Sequence, residues 1–562
     1  IAGAALVILD TPRPADLARV QQRLGDALGS DAPPWIRVGG GPPASGGLAP
    51  EHARRLAGYY AAGGEANLRT MFAYLRRLRD GQDVSDLPSP QRLPREGIYH
   101  PAAPAVFASV QDYLAWGRGR WVEAAPRIAF AIGDGAVTDG DTGLVDALIA
   151  RAEAAGLAPV AFWFDAARED GLRAVLASAG ADALVNLIHM QNGEARQREL
   201  TALGIPVIAA FTWREGDPAA WEASSSGLGA ATAATLLVAP EAWGMSDPIV
   251  VAAVSGGEVV SIPGQVEALM AKLRRLAVLR HRPAAEKRVA AMFWNYPAGD
   301  RNLSASNLNL PRSVAAMTRA LGGAGYAVPA TEEARLIEAG QAMLGGIYRP
   351  ETLDALLRDG LADTLPVQRY RDWLDTLPQA RRDAMLERWG QPEADRSVRE
   401  VDGERRFVIP RLTLGNLAVL PQPPRGGAPG EGYHDAALPP PHLYMAAYLW
   451  LREVWSADAL VHMGTHGTQE WLPGKDRGLS AGDYPFLALG DLPVLYPYTQ
   501  DNVGEAMQAR RRGRATVISH QTPAFAPSGL YDELRDLHAL IHEYGQLEEG
   551  AVRDGTRDRI LD

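Results

Sequence analysis

Seven of the eleven histidines lie between His434 and His542, and the densest element of that region is Ala457-Asp-Ala-Leu-Val-His-Met-Gly-Thr-His-Gly-Thr-Gln-Glu-Trp-Leu-Pro-Gly-Lys-Asp476. It carries His462, His466 and Glu470 at spacings of four. On a continuous helix these positions fall within about 80° of one another, so one ion could meet all three side chains. The apolar Ala459-Leu-Val461 followed by Gly464 and Gly467 suits a different course, a strand entering a tight loop and then a helix. His462 would then end a strand at the carboxyl edge of a sheet, where open α/β folds gather ligands. Imidazole and carboxylate suit a borderline divalent ion such as Co2+, whereas Mg2+ prefers oxygen alone. His462, His466 and Glu470 are therefore the candidate metal ligands. Glu470, His466 and His520 are the candidates for proton transfer, with His434-Asp435 as a further base or ligand. The competing reading is that these histidines only satisfy buried hydrogen bonds.

Two other chemistries are disfavoured by the same stretch. His542-Glu543 is followed by Tyr-Gly-Gln rather than a second histidine, so no zincin motif is present. Gly467 to Lys475 has its glycines too far apart for a phosphate loop, and Asp476 stands where Ser or Thr would be needed to hold Mg2+. Any ATP hydrolysis coupled to this chain is expected on a partner.

The absence of cysteine excludes disulfides, iron–sulfur clusters, thiolate zinc sites and a cysteine nucleophile in this chain. A formal charge of −11 argues against a nucleic-acid partner, which usually requires a basic surface. Apolar residues make up 47% and charged residues 22%, close to the averages for folded globular chains. The longest apolar stretches, such as Ala231 to Ala242, are broken by Pro240 and Glu241, so no membrane insertion and a cytoplasmic location are expected. Ile1 in place of Met, and an end just after the charged run Arg553 to Arg559, suggest a fragment of a longer protein.

At 562 residues several cores are required. Ala4 to Leu9 reads as a buried strand and Pro14 to Leu28 as an amphipathic helix. Strands are then expected at Pro126–Gly133, Ala158–Phe164, Ala183–Ile188 and Pro206–Phe211, with helical segments between them. That βαβ order implies a parallel sheet. Lys287 to Trp294 opens another such unit, Arg312 to Leu321 a helix, and Ala330 to Gln391 reads as helical. The fold class is α/β and multidomain, with successive parallel-sheet units and a helical segment. The expected division is 1–95, 96–280, 281–430 and 431–562, with the Pro- and Gly-rich Gln422 to Pro441 as the last boundary.

Three consecutive runs, HMGTHGTQEWLPGKDRGLS (462–480), GDLPVLYPYTQDNVGEAMQARRRGRATVISHQTP (490–523) and FAPSGLYDELRDLHALIHEYGQLEEGAVRD (525–554), resemble signatures of the CobN and magnesium-chelatase large-subunit family. GIYHP (97–101), MQNGEARQREL (190–200), FWNYPAGDRNLSASNLNLPRS (293–313), LRDGLADTLPV (357–367) and PRLTLGNLAVLPQPPRG (410–426) are similar to CobN as well. Gln469 to Arg477 and Ser519 to Thr522 look more like the cobalt branch than the magnesium branch. The resemblance implies a ligase that forms nitrogen–metal bonds, a cobaltochelatase placing Co2+ in hydrogenobyrinic acid a,c-diamide during cobalamin synthesis. It also implies an AAA+ ATPase partner complex of the CobS and CobT type, which would carry the ATP and its Mg2+. A ring bearing several carboxylates needs fixed cations, and Arg312, Arg425, Lys475, Arg477 and the run Arg510 to Arg514 are the candidates. Trp471, Tyr496 and Tyr498 could pack on a flat macrocycle. A magnesium chelatase large subunit acting on protoporphyrin IX and a tetrapyrrole carrier without insertion activity are the rival readings.

Overall fold

A computed structural model describes residues 3–562 apart from 12, 29–31, 40, 297, 301–302, 306–307, 427–431, 433, 465–466, 500–502 and 521–532, and apart from the side chains of 26, 27, 499, 503, 519, 520, 535 and 546. The chain is an α/β protein of several sheets. The first unit holds a three-stranded sheet, Val7–Asp10, Trp35–Val38 and Ala44–Gly46. Helices Pro50–Ala62 and Glu65–Arg79 cover it, closing a small core of Ile36, Leu56, Tyr59, Met71 and Tyr74.

The second unit is built on a seven-stranded sheet. Its five parallel strands are Arg127–Ala131, Ala158–Trp163, Ala183–Asn186, Val207–Trp213 and Ser246–Ser255. Numbered along the chain, they stand in the spatial order 2-1-3-4-5. Gly97–Tyr99 and Glu258–Ser261 close the two edges antiparallel. Strands covered on both faces should be apolar throughout rather than alternating. Ala158–Trp163 is buried at every position, and hydrophobic clusters lie on both sides of the sheet.

The third unit repeats that order. Leu417–Pro421, Val289–Phe293, Ala459–Met463, Val494–Thr499 and Ala515–His520 lie side by side and parallel, again 2-1-3-4-5, with Leu412–Leu414 as an antiparallel edge. Residues on both sides of position 430 thus share one sheet. The loop Gln422 to Pro441 is a connection inside this unit, not the boundary between two units expected from its composition. Parallel strands must be joined by long crossovers, and here a Pro- and Gly-rich stretch begins one of them.

The segment 330–391 also differs from the helical expectation. It contains helices Glu333–Tyr348, Leu353–Arg358, Val367–Leu374 and Gln379–Trp389, but Ala362–Pro366 is a strand paired antiparallel with Glu404–Pro410. That pairing spans about forty residues of chain, so no local period announces it. Leu353 and Leu356 keep their helical spacing and pack on Ala362 and Val408.

One helix, His442–Glu453, is buried on nearly every side, from Tyr444 to Leu451 without a break. A helix apolar all round belongs in a core, and this one lies between the six-stranded sheet and the small sheet of Glu404–Pro410. His442 anchors its first turn. The Gly390 carbonyl can only accept, so His442 Nε2 carries the proton and donates to it at 2.9 Å, while Nδ1 accepts from the Tyr370 hydroxyl at 3.0 Å. Burial holds this imidazole below its usual pKa. The unfolded chain therefore protonates first, and stability is lost as pH falls below the ordinary value of about 6.5. The urea midpoint should drop between pH 7 and pH 5, by up to about 1.4 kcal/mol of stability per pH unit from this group. His442→Phe should start less stable and show a shallower dependence; equal slopes for the two proteins would refute the assignment.

Candidate functional site

In a 2-1-3-4-5 sheet the chain reverses its direction of winding between the first and third strands, and the crevice beyond their carboxyl ends is where ligands sit. In the six-stranded sheet those strands are Val289–Phe293 and Ala459–Met463, and Met292 pairs with His462. His462 thus ends a strand at the switch point, and the continuous-helix alternative is excluded. Further along, Gln469–Trp471 forms a single helical turn rather than a longer helix.

His462 is fully buried, and burial pushes its pKa down to about 3. Its ring lies parallel to that of Tyr496, on the adjacent strand, with centroids 4.9 Å apart and planes 7° from parallel. The Tyr496 hydroxyl, 3.2 and 3.1 Å from the two Glu470 carboxylate oxygens, donates to that carboxylate, and the Gly467 N–H donates to Glu470 Oε1 at 3.0 Å. The Glu470 side chain is inaccessible to solvent. Tyr496 is held well above its usual pKa, by burial first and by the neighbouring carboxylate second. Gly467 has to be glycine, since a Cβ there would lie 2.5 Å from the Tyr496 hydroxyl oxygen and 3.2 Å from His462 Nδ1.

Behind His462 the polar atoms form a closed set. Gln422 Oε1 accepts from the Thr468 N–H and hydroxyl, both at 3.0 Å, which fixes its amide so that Nε2 donates to the hydroxyls of Tyr444 and Tyr448. The Thr468 hydroxyl is committed to Gln422, so Tyr444 donates to Thr468 Oγ1 at 2.9 Å, and the Tyr448 hydroxyl lies in hydrogen-bond contact with His462 Nε2 at 3.1 Å. Burial keeps the imidazole neutral, and its Nε2 is already engaged by Tyr448. Tyr444 and Tyr448, one turn apart on the core helix, share a face and reach the same site. The sequence carried that i, i+4 signal in an otherwise apolar helix, but Gln422 had no local signal at all.

The structure joins His462 and Glu470 through Tyr496. His466 lies outside the described residues, as does the side chain of His520, whose backbone ends the strand Ala515–His520. Among the described residues, no three His, Asp or Glu side chains are grouped to hold a metal ion.

The cations expected to face a carboxylated ring are placed otherwise. Lys475, buried to 4% exposure, donates to the carbonyls of Glu222 and Ser224 at 2.7 Å and lies over the Trp221 ring. Arg477 Nε donates to the Leu228 carbonyl at 2.7 Å, and the adjoining backbone of Gly227 approaches Arg477 so closely that a Cβ would sit 2.0 Å from its carbonyl oxygen. Both therefore fasten the site loop to the second unit instead of forming a charged rim. Arg425, wholly buried, donates to the carbonyls of Trp471, Asp435 and Leu438. Arg512 donates to the carbonyls of Glu470, Leu472, Gly474 and Lys475. Arg511 pairs with both oxygens of Glu241, and Arg514 with both of Asp247. Arg312 alone of the named cations is exposed, in the first turn of helix Leu310–Gly323. Tyr496 and Tyr498 are buried in the core, while the half-buried Trp471 stacks obliquely on the His434 ring at 4.5 Å.

A buried carboxylate loses more than an average hydrogen bond when a donor is removed. Tyr496→Phe should therefore cost about 1.5–3 kcal/mol in urea unfolding. Gly467→Ala should be destabilising as well, because its Cβ displaces that hydroxyl. No measurable change in either variant would mean that Tyr496 does not serve Glu470.

The CobN/Magnesium Chelatase family model matches residues 57–562. The chain is 31% identical over 545 residues to the aerobic cobaltochelatase subunit CobN of Sinorhizobium sp, covering 92% of this chain and 41% of that protein. It is 33% identical to the CobN protein of the aerobic cobaltochelatase of Pseudomonas aeruginosa, covering 89% of this chain and 40% of that protein. A magnesium-chelatase subunit of Rhodobacter capsulatus is 28% identical, over 85% of this chain and 42% of its own length. The solved catalytic subunit of cobaltochelatase from Mycobacterium tuberculosis superposes with a TM-score of 0.75 at 27% identity, over the whole of this chain and 48% of that one. The chain thus spans less than half the length of these relatives.

Proposed function

The chain belongs to the CobN/magnesium chelatase family, and from that premise we propose that it is a large part of the tetrapyrrole-binding subunit of a cobaltochelatase. In this reading the complete subunit places Co2+ in hydrogenobyrinic acid a,c-diamide, and ATP with its Mg2+ is used by AAA+ partner subunits of the CobS and CobT type. The observation that carries the reading is the buried Glu470 carboxylate beside His462 at the switch point of the six-stranded sheet. Higher identity to the two CobN proteins than to the magnesium-chelatase relative favours the cobalt branch. No helix among the described residues is long and apolar enough to cross a membrane, which accords with the cytoplasmic location proposed for the complex.

Metal insertion removes two protons from ring nitrogens while the ion exchanges its ligands for them. Glu470 has the chemistry of the acceptor: a solvent-inaccessible carboxylate held in place by Tyr496 and by the Gly467 N–H. His466 and Glu470 are the proposed ligands of the incoming Co2+. His462, whose Nε2 is bonded to the Tyr448 hydroxyl, ligates through that nitrogen only if its ring leaves Tyr448, and in its present position it orients Tyr496 by stacking. His520 is the second proposed acceptor. Trp471 and the exposed Arg312 are the proposed ring contacts. Arg425, Lys475 and Arg477 act on the ring indirectly, by holding the loop.

In the full-length protein with its ATPase partners, Glu470→Gln should leave corrin binding nearly intact and lower the insertion rate at least about tenfold, as for a lost general base. His466→Ala should weaken Co2+ affinity instead. The same protein should quench with hydrogenobyrinic acid a,c-diamide at lower concentration than with protoporphyrin IX. A reversed order would move it to the magnesium branch, and binding of the ring without any ATP-dependent metalation would make it a carrier.

A further inference from the structure

The amino ends of both large sheets face each other across a cavity of about 820 Å³. Val207 and Ser246, which open their strands in the second unit, and Val494 and Ala515, which open theirs in the third, all line it. In the third unit the cavity runs along the last two strands from these amino ends as far as Tyr498, while His462 stands on the neighbouring strand Ala459–Met463 and is not part of its wall. Its volume falls in the range that encloses small molecules, and domain interfaces are favoured places for them.

Most of its lining is apolar, including Ile205, Leu276, Leu279, Leu495 and Met507. The charged groups on its wall do not balance. Lys272 and Arg514 share the single carboxylate of Asp247, at 3.4 Å and 2.7 Å. Arg510 also lines the cavity, and it donates from one Nη to the Glu241 carbonyl at 2.7 Å. The Glu241 carboxylate itself is taken by Arg511. Lys272 loses part of its basicity to burial, with a pKa lowered to about 8, and still carries a proton at neutral pH. Three cations thus face one anion inside a largely apolar space, in a chain whose overall charge is −11. Arg510, partly buried, reaches a backbone carbonyl and not a carboxylate, so an anion entering the cavity would gain a charge-assisted partner there.

We propose that this cavity is a second binding site, distinct from the metal-handling site, for an amphipathic anion: an apolar body of small-molecule size with an acidic group directed at Arg510. Its walls come from both units, so an occupant ties the two together. The same five-residue run reaches both sites, because Arg510 and Arg514 line the cavity while Arg512 holds the carbonyls of the Glu470 loop. Occupancy is therefore positioned to stiffen that loop.

The probe is 8-anilinonaphthalene-1-sulfonate, an apolar body with one fixed negative charge, titrated into the folded chain by fluorescence and followed by thermal unfolding. About one molecule should bind per chain, saturably, and raise the melting temperature, as any ligand of the native state must. Arg510→Gln should weaken that binding about tenfold or more, the loss expected for one charge-assisted contact, while leaving the affinity for the neutral N-phenyl-1-naphthylamine unchanged. Leu276→Trp, which fills the space, should weaken both dyes. Equal sulfonate affinity in the parent and in Arg510→Gln, or binding with no rise in melting temperature, would overturn the proposal. Should Leu276→Trp fail to fold, the comparison of the two dyes on Arg510→Gln still decides.

Discussion

The site depends on how one irregular loop is held. The chain leaves the sheet after Met463 and, from the helical turn Gln469–Trp471 onward, follows an irregular course that bridges Gly227 at Arg477 and leaves other carbonyls to be satisfied in a buried place. Arg512 satisfies four of them, at Glu470, Leu472, Gly474 and Lys475, with one guanidinium. Each would otherwise cost about 1–3 kcal/mol if left bare. The planar fork of arginine can serve several carbonyls at once, which a lysine ammonium at the same place could not do with the same geometry. The position of the Glu470 carboxylate therefore follows from Arg512 on one side and from Tyr496 and Gly467 on the other.

The loop's far end is set by a different unit. Lys475 and Arg477 end on carbonyls of Glu222, Ser224 and Leu228, at the carboxyl edge of the seven-stranded sheet. Gln265 and Lys272 of the helix Pro263–His281 reach back to the carbonyls of Leu479 and Leu492. The two sheets share one strand order, and their difference lies in what the loops at the switch point carry. In the second unit Asn186 closes on the Ile188 carbonyl of its own loop. In the third, a carboxylate and an imidazole are stacked and bonded around Tyr496. Fastening the loop to a second unit makes the relative position of the units a determinant of the site.

Much of the α/β order was legible. Runs such as Ala158–Phe164 and Ala183–Ile188 are short, apolar and flanked by helical segments, and that pattern is sufficient for buried parallel strands. The placing of His462 at a strand end was one of two courses the sequence left open, and the apolar Ala459-Leu-Val461 before two glycines was the signal for it. Three things were hidden because they depend on distant partners. Ala362–Pro366 reads as part of a helical region until Glu404–Pro410 comes beside it. The Gln422 to Pro441 loop has the composition of a linker, yet it connects strands of one sheet. The basic residues near the histidines suggested an acidic ligand, but Arg425, Lys475, Arg477 and Arg512 end on backbone carbonyls, whose positions no composition reveals.

The proposed function turns on Glu470, buried against Tyr496 on the loop that Arg512 holds, becoming a ligand of the divalent ion at the switch point of the six-stranded sheet. Its most direct test is the visible absorption spectrum of Co2+ bound to the full-length protein, compared among the parent, Glu470→Ala and Arg312→Ala. Ligation by imidazole and carboxylate predicts bands that shift or vanish in Glu470→Ala and persist in Arg312→Ala. An identical cobalt spectrum in the parent and in Glu470→Ala would contradict the account.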